Sequence, residues 1–412
     1  MRKSDCLLTI LMVFTAAPAP ASKEITVSTA EELQAIFASP VESLAVQLLP
    51  GQYHLVPFES VDSTCGNCED PETFVRITVG LQISGERVQI RGPEKSSAVI
   101  HTHAGYGLFF KDCNGALIRD ISITGGERDP DGNATDAAIV VKNSSVDIVA
   151  NRIYDNIGDS TVVSQTVVGI MGICGRENAR LRIIRNHIVR NSWDGIALYR
   201  DAEALITGNT IDGVDKAGGG KIGGGRGVGI GVTWNARATI SENLVKRYWK
   251  GIGLFVDANG NIQRNIIEDI LTWGIAYWDA DKGKPIGFIE ENIIYRTGAC
   301  GASITRAAPF DSTETPGRFA RNIIVETGQN SKYDDPDYYC YQCALALHAV
   351  PEGFVIEDNL FYNNRRASKD LPNWDVKNEE FEKAILERYH DYAKDPLIWS
   401  IFLEDFFRRS PE

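Results

Sequence analysis

Leu181–Val189 reads LRIIRNHIV, Ala204–Asp212 reads ALITGNTID, Ala238–Lys246 reads ATISENLVK, and Asn261–Asp269 reads NIQRNIIED. The phrase returns as GFIEENIIY at Gly287–Tyr295, RFARNIIVE at Arg318–Glu326 and FVIEDNLFY at Phe354–Tyr362. Each copy is a short apolar strand, an asparagine turn and a second strand. The asparagines stand at Asn151, Asn186, Asn209, Asn243, Asn265, Asn292, Asn322 and Asn359. Where they lie closest, the spacing is about 22 residues, the bare length of one repeat, and the longer intervals carry insertions.

A third strand follows each phrase after a polar or Gly-rich connection: DGIALY, RGVGIGV, KGIGLFV, WGIAYWD, CGASIT and CALALH. Three strands per repeat close a triangular coil. Alternation within the third strand turns Ile196 and Leu198, Ile230 and Val232, Ile252 and Leu254, Ile275 and Tyr277, and Leu345 and Leu347 inward. A helical solenoid would show apolar spacings of three and four, and a propeller four strands per blade. The expected fold is therefore all-β, a parallel β-helix solenoid of about nine or ten coils and roughly 45 Å in length. Asparagine suits its turns because it tolerates left-handed backbone angles and its amide both donates and accepts between coils. A stack of coils has two raw ends, and helices are expected to cap both. The division expected is a leader over 1–21, a capping helix and first coil strands over 22–84, the solenoid over 85–366, and a helical cap over 367–412. In that last segment Phe381, Ile385, Tyr389 and Tyr392 fall on one helical face.

The leader reading rests on Arg2 and Lys3, the apolar run Leu7–Ala17 and the small residues Ala19-Pro20-Ala21, the pattern of a secretory signal peptide. The run is too short to span a bilayer. A secreted or periplasmic protein without membrane insertion is expected, and a monomer. The net charge of −13 disfavours nucleic acid and anionic membranes as partners. Export also bears on Cys65-x-x-Cys68 and Cys340-x-x-Cys343, since an oxidising compartment favours loop disulfides over zinc. Cys113, Cys174 and Cys300 lie in apolar strands and read as buried spacers.

The repeats from about Val88 to Asn364, with the N-terminal segment ending LLPGQYHL, resemble the pectate-lyase-like right-handed parallel β-helix superfamily. The resemblance implies a right-handed coil, and a substrate groove along the third strand and its flanking loops. It implies no single chemistry, because the superfamily holds polysaccharide lyases, glycoside hydrolases, esterases, epimerases and non-catalytic scaffolds. The Gly-His-Gly segment of polygalacturonase-like enzymes, the Arg-x-Pro-x-x-Arg pattern of classical pectate lyases and the Asp-Pro-His-Glu pattern of mannuronan epimerases are all absent.

The insertions gather round the third strand, whose outward column reads Tyr199, Thr233, Phe255, Trp278, Thr305 and His348. Aromatic faces on adjacent coils suit the C–H faces of sugar rings, although loops folding over them into a secondary core would explain them equally well. Asp194, Arg226 and Lys250 each precede a glycine at the strand entrances. They are candidates for β-elimination on a uronate polymer, which needs a base and positive charge, with Lys250 the less demanding base. His348 is a further candidate base. Arg200 and Arg306 at the strand exits, and Lys221 within GGGKIGGG, are candidate substrate contacts. Asp257, Asp279 and Asp281 offer oxygen ligands for Ca²⁺, or a pair of carboxylates for glycoside hydrolysis. His101, His103 and His187 look too scattered to form a metal centre. The leading expectation is an exported polysaccharide lyase. The alternatives are a non-catalytic carbohydrate-binding or scaffold β-helix and a glycoside hydrolase.

Overall fold

A computed structural model describes residues 23–218, 221–307, 315–335, 342–389 and 400–408. Almost every strand pairing is parallel, in sheets of 23 and 11 strands. The larger sheet supplies two faces of a three-sided coil, because Val75–Glu86 and Tyr106–Arg119 each run from one face into the next. We call the face containing Ile196–Leu198, Val228–Val232, Lys250–Phe255 and Ile275–Trp278 the front. The smaller sheet, from Gly51–His54 to Leu360–Tyr362, is the back.

Registration follows the apolar alternation. Ile196, Ile230, Ile252 and Ile275 are Cα partners on consecutive front strands, and each is fully buried. Leu347 departs from expectation: it is 43% exposed, because the described residues add no front strand after Leu345–Ala349 to cover it. Gly195, Gly229, Gly251, Gly274 and Gly301 form a second register mark. A Cβ at these positions would fall 2.3–2.6 Å from side-chain carbons of Ile211, Val245, Ile267, Ile294 and Ile324 on the back face. The front and back faces approach too closely there for any side chain.

The asparagine turns form a continuous ladder, with one correction to its cause. The left-handed position belongs to the residue before each asparagine, as at Arg185, Glu242, Arg264 and Glu291. The asparagine itself turns inward. Each Nδ2 donates to the next Oδ1, as in Asn209 to Asn243 at 2.9 Å and Asn265 to Asn292 at 2.9 Å, and also to a backbone carbonyl of the preceding coil. What selects asparagine is a buried amide satisfied on both sides.

At the N-terminus, helix Ala30–Ile36 begins with a Thr29/Glu32 capping box and buries Leu33 in the main core. At the other end Trp374 packs on Phe361, and the chain then folds back along the solenoid's flank. Phe381, Ile385 and Phe402 cover the outward ladder of Ile266, Ile293, Ile323 and Leu360. Glu268, on the back face, accepts the backbone N–H groups of Ile401 and Phe402. Tyr392 lies outside the described residues. Cys65 and Cys68 form a disulfide, and Cys113, Cys174 and Cys300 are buried. Cys340 also lies outside the described residues.

Candidate functional site

On the front face, outward positions Ala197, Gly231, Gly253 and Ala276 are aligned on four consecutive strands and form a row of small residues. Two residues further along, Tyr199, Thr233, Phe255 and Trp278 form the expected column. The Phe255 ring folds back over Gly253, where a Cβ would meet it at 2.3 Å, and contacts Trp278 edge-on at 6.3 Å. Above Gly231 lies a cavity of about 300 Å³, walled by Trp193, Trp234, Trp249, Phe255 and Trp278, with Asn67 and Lys282 at its rim. Thr233 lines it too.

Asp194 lies in this aromatic surround. Its Oδ1 accepts the Val228 N–H at 2.6 Å, and a Cβ on Gly227 would come within 2.0 Å of that oxygen. Burial pushes its carboxyl up to about 7, offset only in part by the Val228 N–H and the Lys250 charge. Lys250 is buried behind it, its Nζ 3.3 Å from the Trp249 ring centroid and 5.1 Å from that of Trp273. Two indole faces border its ammonium group, a setting in which a positive charge beside the cavity is held by the rings. Arg226 is also buried. Its guanidinium lies 5.7 Å from the Trp193 ring, and its Nε and Nη1 find no hydrogen-bond partner among the described residues. The three charges are not equivalent in register: Lys250 pairs with Val228, the Val228 carbonyl accepts from Gly195 N–H, and Arg226 lies two residues earlier in the Arg226-Gly227 extension.

The secondary-core reading of the aromatic column holds at Tyr199, whereas Thr233, Phe255 and Trp278 line the cavity. Tyr199 is only 5% exposed and joins Phe109, Val140, Cys174 and Ala197 in a secondary core beneath the loop that carries Cys65 and Cys68. That loop is rooted by a buried cluster in which Asp62 pairs with Lys142 and Arg176, and Arg176 donates to Tyr106 Oη and Thr135 Oγ1. Arg200 is held by the loop: it stacks on Trp234 at 4.4 Å and donates to the carbonyls of Gly66 and Cys68. Trp234 Nε1 donates to Asn67, and Lys282 pairs with Glu69.

The remaining expected site residues lie elsewhere. Arg306 is buried and donates to the Pro285 carbonyl, a structural contact beneath the far wall. Thr305 does not line the cavity, and His348 is exposed on the last front strand. Lys221 donates to the Asp215 carbonyl within its own loop. Asp257 accepts from Lys284 N–H, and Asp279 accepts from Ala307 and Asp281 N–H, while Asp281 is exposed. The Asp257 and Asp279 carboxylates cap turns, and the three do not gather into one group. Among the described residues no group of three or more His, Cys, Asp or Glu is placed to hold a metal ion. A second cavity, of about 740 Å³, lies between Glu59–Val61 and Asp129–Asp131, but the Asp129 carboxylate there is already engaged by Thr78 N–H and Oγ1.

Sequence reasoning missed Trp193, Trp234 and Trp249, and the position of the disulfide loop over the front face. The signal for two of them was present: SWDGI and YWKGI place a tryptophan directly before the charged residue at each strand entrance. The histidines also differ from expectation. His101 and His103 gather with His54, the rings of His54 and His101 stacking at 4.2 Å. Burial, then the neighbouring imidazoles, lower the His101 pKa. The neutral form is thus favoured in the folded state. This contribution to stability is complete above the ordinary histidine value of about 6.5 and is lost as pH falls below it. His101→Gln should therefore flatten the decline in melting temperature on acidification from about pH 7 to 5. An unchanged decline would refute the role of the stack.

A three-sided parallel solenoid with a walled aromatic cavity on one face defines the class as a β-helix protein. The chain belongs to the right-handed β-helix family, whose model, described as right handed beta helix region, matches residues 74–225 and 172–374. Among solved structures it is similar to an exopolygalacturonase from Thermotoga maritima, at 10% identity over 76% of this chain and 89% of that one, with a TM-score of 0.46. It is similar to an alginate lyase from Paenibacillus sp. str. FPU-7, at 15% identity over 79% and 100% of the two chains, with a TM-score of 0.35. It is also similar to the A-module of a mannuronan C-5 epimerase from Azotobacter vinelandii, at 9% identity over 85% and 99%, with a TM-score of 0.33. At such identities the likeness is one of fold. No curated protein matches the chain.

Proposed function

We propose that the protein is an exported carbohydrate-active β-helix protein, a polysaccharide lyase acting by β-elimination on a uronate-containing polymer. The observation that carries this reading is the cavity above Gly231, where indole and phenyl faces surround one carboxyl group, Asp194, with Lys250 and Arg226 buried close by. Flat apolar walls suit sugar rings. Two buried cations beside the site, in a chain of net charge −13, suit an anionic sugar.

The assigned chemistry is an elimination. The Asp194 carboxylate removes the proton α to the uronate carboxyl group, and Lys250 and Arg226 stabilise the enolate that develops. The electron pair then forms a carbon–carbon double bond as the bond to the glycosidic oxygen breaks, and that oxygen takes up a proton. A base whose pKa lies near 7 is poised for this work, and kcat/KM should rise as pH increases through that value. The glycoside hydrolase alternative needs two carboxyl groups across the scissile bond. Among the described residues that line the cavity Asp194 is the one carboxylate, and Asp257 and Asp279 are engaged by backbone N–H groups.

Export is supported by the Cys65–Cys68 disulfide, a bond that persists in oxidising compartments. No helix among the described residues is long and apolar enough to cross a membrane. The test is incubation with galacturonate, mannuronate and guluronate polymers while ultraviolet absorbance is followed. New absorbance from an unsaturated end group is expected with at least one of them. Reducing-sugar release without absorbance would point to hydrolysis, and saturable binding without either product to a non-catalytic binding protein.

A further inference from the structure

Along most of the front face the outward surface is already occupied. N-terminal to the cavity, Phe109, Val140, Cys174 and Ala197 hold successive outward positions, and all are buried in the secondary core under the disulfide loop. Gly66 of that loop lies against the Tyr199 ring, which a Cβ there would meet at 3.4 Å. C-terminal to the cavity, Ala276, Ser303 and Ala346 continue the same row and are buried. Trp273, Tyr333 and Cys343 pack round them, with Phe255, Trp278 and Leu371 against that cluster. Among the described residues, what stays open is the stretch between Tyr199 and Trp278, which stand three strand-to-strand steps or roughly 14 Å apart along the axis. The disulfide loop runs beside it, from its root at Arg176 to the Glu69–Lys282 pair.

We infer that this cavity takes the end of a sugar chain, or an oligosaccharide of about two or three residues, and not an internal segment laid along the solenoid. The inference rests on the carbohydrate reading above and narrows it. An extended polymer following the front face would have to pass through two packed cores. A chain end entering from above meets the aromatic walls, Asp194 and Gly231, with Asn67 and Lys282 at the rim.

The test is calorimetry on the whole protein. The probes are galacturonate, mannuronate and guluronate oligosaccharides of two to six residues, and the matching polymers cut to different mean lengths. Affinity is expected to stop rising at the trimer. Polymer binding capacity at constant sugar mass should increase in proportion to the number of chain ends. An affinity that climbs more than tenfold from trimer to hexamer, or a capacity that follows total sugar, would overturn the inference while leaving the carbohydrate reading intact. Absence of binding by every probe would overturn both.

Gly231→Phe gives an independent check. A Cβ there meets only Val228 Cβ at 3.8 Å and Asp194 Oδ2 at 3.9 Å, so the ring projects into the cavity. Trimer affinity should drop at least tenfold, with the thermal unfolding temperature within a few degrees of the parent's. Unchanged trimer binding in a folded variant would count against the cavity as the site.

Discussion

Asp194→Asn is expected to lower turnover by about 10²- to 10⁴-fold and, at pH 8, to raise the unfolding temperature. The two effects share a cause. In the folded protein burial pushes the Asp194 carboxyl up to about 7, whereas in the unfolded chain it titrates near the ordinary aspartate value of about 3.9. Between those values the folded state holds a proton that the unfolded state has released. Stability is thus complete below the unfolded value, declines as pH rises through the window, and carries the full penalty above it. An asparagine amide fits the same space, keeps an oxygen for the Val228 N–H and never ionises. The variant should gain little near pH 4 and an amount on the order of a few kcal/mol, as an upper bound, above pH 7. Melting curves across that range, beside the ultraviolet assay, check both halves. A variant that loses turnover but is less stable at pH 8 would show Asp194 to be a structural acid. One that keeps parental turnover would remove it from the chemistry.

Asn265→Ala should destabilise the solenoid by about 4 kcal/mol, and Asn359→Ala by about 1–2 kcal/mol. Asn265 is fully buried. Its Oδ1 accepts from both the backbone N–H and the Nδ2 of Asn243, and its Nδ2 donates to Asn292 Oδ1 and to the carbonyls of Ile240 and Gln263. Alanine would leave those groups without partners in a space closed to water. Asn359 ends the ladder, is only half-buried and donates to the Phe319 carbonyl. In a solenoid each coil is stabilised by its two neighbours, so a break in the middle removes more than a break at the end. Denaturant unfolding of both variants measures the difference. Equal effects would mean that the ladder sets register without contributing this much stability.

The amino-acid sequence by itself determined the winding. Apolar alternation in Ile196–Leu198, Ile230–Val232 and Ile252–Leu254, with a buried asparagine in each turn, admits one way of stacking, because a slip of one residue would turn every isoleucine to solvent. Such local, periodic information is repeated along the chain, so each copy confirms the others. The site is different in kind. Asp194, Lys250, Phe255 and Trp278 were legible because they share the strand period with the core. Asn67 was not, and neither was the diversion of Arg200, Arg306, Asp257 and Asp279 into loop contacts. Those assignments depend on where an insertion of irregular length comes to rest, and the disulfide loop reaches Arg200 and Trp234 from residues more than 130 positions away in the chain. Only the tertiary structure could decide which coils that loop covers. The outward face is therefore sealed at Tyr199 and open at Gly231, though both stand on the same kind of strand.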